Sequence, residues 1–174
     1  MAALVAAAVV WVAAQQPATP PVSAQATTAG IPPEAFEITV ESVHDGDTLR
    51  ARVVAPNDVM TDAGSTRIRL LGVDTPEISP DLECWGDEAT ARLTALAPPG
   101  TTLWAAPDLA TLDRYGRHLM YLWTTDGRFV NAELLTGGDA RVTIYAPNDR
   151  HEDLFRALEA TAAADRVGLW AACR

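Results

Sequence analysis

Lysine is absent from this chain: all thirteen basic residues among its 174 are arginines, set against 23 acidic residues, for a formal net charge of −10. The missing lysine reads as a codon or habitat bias. The missing positive excess has a physical consequence, because affinity for polyphosphates ordinarily draws on a basic surface and on counterion release. A chain this acidic can hold such a ligand only through local arrangements of arginine. Soft metal ligands are scarce too. The two cysteines, Cys84 and Cys173, have no second soft ligand nearby in sequence, and His44, His118 and His151 lack metal-ligand spacing, which argues against a zinc-type centre. No internal repeat is evident. The apolar run at residues 2–14 is too short to span a bilayer comfortably.

What is present divides into three parts. Residues 1–14 resemble the apolar region of a secretory signal, although no Lys or Arg precedes it; an uncleaved anchor is the alternative. Residues 15–35 are rich in Pro, Ala, Thr, Ser and Gln, with no charge before Glu34. Such a segment buries too little to offset its ordering entropy and reads as a disordered tether. Residues 36–174 are long enough for one domain with a real core. An exported protein with an even cysteine pair favours a Cys84–Cys173 disulfide, with two buried free thiols as the competing reading.

Within that domain, alternating apolar positions predict strands over 36–43, 48–54 and 66–73, the first two joined at the Asp45-Gly46 hairpin signal. In the third, Arg67 and Arg69 face away from Ile68 and Leu70. Further strands are predicted at 101–105 and 118–123, with a brief extended piece at 141–145. Helices are predicted at 87–97 and at 130–135, the latter closed by Gly137-Gly138, with a third, opened by an Asp149/Glu152 capping pair, that runs to about 166. These elements predict an α+β fold: a five-stranded oligonucleotide-binding (OB-fold) β-barrel capped by three α-helices.

Three turn-like segments carry the chemistry: Asp45-Gly46-Asp47-Thr48, Arg69 to Glu77 (RLLGVDTPE) and Asp113-Arg114-Tyr115-Gly116-Arg117. Turn formation explains Asp45, Gly46, Pro76 and Gly116. It does not explain why the same turns also carry Asp47, Arg69, Asp74, Glu77 and Arg117. Two carboxylates can hold a hard divalent cation in an open shell, a third can handle a water proton, and two planar arginine forks can grip phosphate oxygens. That is the set phosphodiester hydrolysis requires.

With these motifs, residues 37–170 resemble the staphylococcal nuclease family, the thermonuclease-type domain. The resemblance implies Asp47 and Asp74 as calcium ligands together with the carbonyl of Thr75. It also implies Glu77 as general base or water-orienting residue and Arg69 and Arg117 as the catalytic phosphate-binding pair. Arg114 and Tyr115 are then expected on a neighbouring phosphate, and Tyr145 lines a base pocket. The implied activity is calcium-dependent cleavage of DNA and/or RNA at the 5′-oxygen side of phosphorus, leaving 3′-phosphate ends, by a secreted or cell-surface monomer without an obligate protein partner. The alternative is a barrel of the same kind that binds nucleic acid without cutting it. Two departures stand out: Thr143 occupies a position where the family often has a second pocket tyrosine, and the loop 78–85 carries Asp81 and Glu83 but no basic residue.

Overall fold

The computed structural model describes residues 30–173; the signal-like segment and most of the proposed tether lie outside them. The strands are β1 (Phe36–Val43), β2 (Thr48–Val53), β3 (Thr66–Leu70), β4 (Gly72–Asp74), β5 (Thr102–Ala106), β6 (His118–Thr124) and β7 (Arg141–Thr143). The helices are α1 (Gly86–Leu96), α2 (Val130–Thr136), α3 (Glu152–Ala164) and α4 (Leu169–Ala172). Five strands close a barrel in the order β1-β2-β3-β6-β5, with β5 returning to β1 and β6 running parallel to β3. This is the expected helix-capped barrel, with one additional single-turn helix, α4, behind α3.

Period-two alternation fills the barrel. Ile38 and Val40 from β1, Leu49, Ala51 and Val53 from β2, and Ile68 and Leu70 from β3 point inward and are buried, while Arg50, Arg52 and Arg67 between them are exposed. Helix α3 closes one end with Phe155, Leu158 and Ala162. Phe155 joins an aromatic cluster in which Trp123 stacks on Phe129 at 4.6 Å and His151 meets Tyr121 edge-on at 4.6 Å.

Three local expectations are corrected. The strand predicted over 66–73 breaks after Leu70, because Gly72 takes a left-handed φ of 76° and a side chain there would collide with Phe155. Gly72–Asp74 therefore leaves the barrel and pairs with β7. The Asp149/Glu152 capping pair does not form: His151 is the N-cap residue, without a side-chain cap bond, and Glu152 reaches forward to Arg156. Packing also begins upstream of Phe36, where Ile31 and Ala35 lie against the core and Glu34 pairs with Arg150 at 2.6 Å.

Candidate active site

The hairpin turn between β1 and β2 is shaped by its own side chains. Asp45 accepts the backbone N–H of Asp47 at 3.1 Å, which turns the Asp47 carboxylate inward. Gly46 is required by proximity: a β-carbon there would lie 2.6 Å from Thr75 Oγ1 and 2.8 Å from Ala89 Cβ. The first motif is thus pressed against the second. Asp47 Oδ1 accepts the Thr48 hydroxyl at 3.0 Å, and Oδ2 accepts the backbone N–H of Thr75, also at 3.0 Å.

Arg69 joins the two acidic positions. Its Nη1 lies 2.8 Å from Asp47 Oδ2 and its Nη2 lies 2.6 Å from Asp74 Oδ1, while Nη1 also donates to the Val73 carbonyl at 2.7 Å. The break after Leu70 makes this pairing feasible, since it folds Asp74 back toward the strand that carries Arg69. Asp47 is buried, and burial pushes its carboxyl up to about 7 despite the Arg69 charge, with Asp45 adding to the rise. Asp74, by contrast, has a half-exposed side chain.

Beside this cluster opens a cleft of about 500 Å³, whose walls include Arg69, Asp74, Glu77, Arg114, Tyr115, Arg117 and Tyr145. Arg117 is oriented by Asp113, which accepts its Nε at 2.6 Å and its backbone N–H at 2.9 Å. Burial works to raise the Asp113 carboxyl, but these bonds and one from the Tyr115 N–H outweigh it and hold the group below its usual range. The guanidinium groups of Arg114 and Arg117 lie 4.7 Å and 5.5 Å from the Tyr115 ring centre. Glu77 stands in the loop between β4 and α1; burial raises its carboxyl, helped by the negative charges of Asp45 and Asp74 and opposed by Arg69. Tyr145 is 71% exposed at the rim, on a turn fastened by Asn148, whose side chain bonds both backbone groups of Ala110.

Residues 67–172 match the family model described as staphylococcal nuclease homologue. The chain belongs to that family. It is 32% identical over 137 residues to an endonuclease, YncB, of Bacillus subtilis (strain 168), covering 76% of this chain and 61% of the relative. It is 31% identical over 134 residues to a thermonuclease of Staphylococcus intermedius, covering 75% of this chain and 74% of the relative. A prophage-derived Bacillus endonuclease, YokF, matches at 30% identity over 79% of this chain and 45% of its own length. The chain thus spans about half to two thirds of the two Bacillus relatives.

In this staphylococcal nuclease homologue, every residue singled out in the three motifs falls in one neighbourhood. Asp47, Arg69, Asp74 and Thr75 are linked by direct contacts, and Glu77, Arg114, Tyr115, Arg117 and Tyr145 share the cleft. Sequence reasoning gave no role to the supporting side chains. Asp45 does more than form the turn: its position two residues before Asp47 is that of an Asx turn, whose bond sets Asp47. Asp113 belongs to the third motif and orients Arg117. Glu83 accepts the backbone N–H of Glu77 at 3.0 Å and returns its own N–H to the Glu77 carbonyl at 2.9 Å, fastening that loop. Cys84, the next residue, is disulfide-bonded to Cys173.

Does this donor set suit a hard cation? Among the described residues, no group of three or more His, Cys, Asp and Glu side chains converges into a metal site. A cation would therefore rest on Asp47, Asp74 and the Thr75 carbonyl, with remaining positions filled by water or substrate. All these donors are oxygens, and the buried Asp47 carboxylate has more demand for positive charge than Arg69 satisfies. The set fits a calcium-like ion in an open site.

Proposed function

We propose that this protein is a calcium-dependent phosphodiesterase that hydrolyses DNA and/or RNA and leaves 3′-phosphate ends, acting as a secreted or cell-surface monomer. One observation carries the reading: Arg69 bridges two carboxylates at the edge of a cleft that also holds Glu77 and Arg117. Family membership, and the endonuclease and thermonuclease among the relatives, support nuclease action.

Asp47, Asp74 and the Thr75 carbonyl would hold the ion, which when bound supplies fixed positive charge beside the scissile phosphate. Arg69 and Arg117 approach the cleft from β3 and from the turn before β6, and each offers a planar fork to phosphate oxygens. Charge accumulating on those oxygens during displacement strengthens both contacts, which is how they would speed the step. Glu77 has no side-chain hydrogen bond within the described residues and keeps its carboxylate available to accept a proton from an attacking water. Arg114 and Tyr115 would contact an adjoining phosphate, and the Tyr145 ring, which is exposed, would stack on a base. The acidic loop 78–85 adds no basic clamp.

The Cys84–Cys173 bond supports residence in an oxidising compartment. The domain boundaries are proposed as a signal-like segment, a tether and the barrel domain; mass spectrometry of protein collected from the medium would show whether the first is removed. Activity is tested by incubating purified protein with DNA and with RNA and analysing the ends. Fragments ending in 3′-phosphate are expected; binding without cleavage would identify a non-catalytic nucleic-acid-binding barrel instead.

A further inference from the structure

In a protein of net charge −10, an uncommitted arginine is informative. Among the described residues, seven arginines sit in ion pairs with carboxylates. Arg50, Arg67, Arg114, Arg141 and Arg166 do not; of these, Arg50 and Arg67 are direct cross-strand partners on β2 and β3. Both are exposed on the outer face of the barrel. Glu41 is near enough to feel Arg50, but its carboxylate is bonded to Arg52. Opposed like charges on one sheet face cost stability, and barrel packing does not require them, since both side chains point away from the core.

Their placement relates them to the cleft. Arg67 donates from Nη2 to the Tyr115 carbonyl at 3.2 Å, so its guanidinium rests on the loop that forms the cleft wall. Arg69 follows two residues later on the same face and enters the cleft itself. Positions two apart on a strand are separated by roughly 6.5 to 7 Å, a step comparable to that between phosphates in an extended polynucleotide. Arg69 and Arg67 therefore lie one such step apart along β3, and Arg50 stands beside Arg67 across the sheet, so the three form a patch that starts at the site and turns onto the barrel surface.

Resting on the nuclease reading above, the geometry points to a further phosphate-binding site: Arg50 and Arg67 hold backbone phosphates of a single strand extending beyond the cleaved bond. The preferred substrate is then a polynucleotide rather than a dinucleotide. Contacts of this kind are made to phosphate and carry no sequence information.

The test compares wild type, Arg50→Gln, the Arg50→Gln/Arg67→Gln pair and the corresponding double lysine variant. Cleavage of a long single-stranded DNA and of a dinucleotide is followed at fixed calcium over a range of potassium chloride, together with anisotropy of a labelled oligonucleotide. The double glutamine variant should lose about tenfold in its preference for long over short substrate. Its log–log salt slope for oligonucleotide binding should become shallower by about 1 to 1.5, since each lost phosphate contact removes about 0.7. The lysine variant should retain the wild-type slope. Arg50→Gln, which breaks no contact to the cleft loop, should show about half the change. Unchanged slope and preference in both glutamine variants would overturn the proposal. A wild type that binds the oligonucleotide but cuts neither substrate would overturn the nuclease reading, with the slopes still deciding the arginine patch.

Discussion

At the scale of single residues, Arg69 and Arg117 are not equivalent, although the motifs present them as a pair. Arg69 is mostly buried and holds two carboxylates, one of them the buried Asp47. Arg117 is more exposed and answers to Asp113 alone. Replacing either with alanine should lower turnover by roughly 10²-fold or more, the scale expected for losing one charge-stabilising donor set. Only Arg69→Ala should also cost substantial stability, about 3 to 5 kcal/mol if Asp47 stays charged and less if it takes up a proton. Thermal unfolding beside turnover separates the two effects; equal unfolding midpoints for both variants would show that the Arg69 bridge does not hold the site together. The residues bearing the chemistry were legible because each turn carried a charge that turning did not need. Asp45, Glu83 and Asp113 were not legible as supports, because each acts by accepting backbone N–H groups, and a carboxylate in a turn looks the same in sequence whether or not it does so.

At the scale of elements, the strand and helix pattern was legible wherever alternation or helical period was uninterrupted. It failed where tertiary packing overrode a local pattern. Residues 66–73 read as one strand, but Phe155 from α3 occupies the space that a side chain at Gly72 would need, and the chain turns there. That turn brings Asp74 to Arg69, so the break is part of the site. The loop that follows, carrying Glu77, is fastened at its far end by the bond from Cys84 to Cys173, a separation of 89 residues. Cross-linking a loop of that length is worth about 4 to 5 kcal/mol in the chain-entropy model, less any native strain. Reduction should therefore lower the unfolding midpoint well below that of the oxidised protein, while activity at low temperature falls less. Identical melting curves with and without reductant would show that the bond contributes nothing to holding α4 against the body.

At the scale of the whole molecule, the cleft of this acidic protein backs onto the aromatic cluster, since Phe155 packs against Gly72 in the cleft wall. His151 in that cluster is held below its ordinary pKa by burial and by Arg150, against the opposing pull of Asp108. The fold thus favours the neutral ring. Its contribution is complete above the unfolded value of about 6.5 and is lost as pH falls below that toward the folded one. Unfolding midpoints at pH 7.5 and 5.5 should differ more in wild type than in His151→Phe; an equal difference would assign the acid sensitivity to other groups. The central claim, that Asp47 and Asp74 present an open oxygen site for calcium beside Arg69, is tested most directly by the calcium dependence of DNA cleavage in wild type, Asp47→Ala and Asp74→Ala. The account predicts saturable activation of the wild type, abolition by chelator, and loss of most of the calcium response in each variant. Full activity in chelator, or a normal calcium response in both variants, would contradict it.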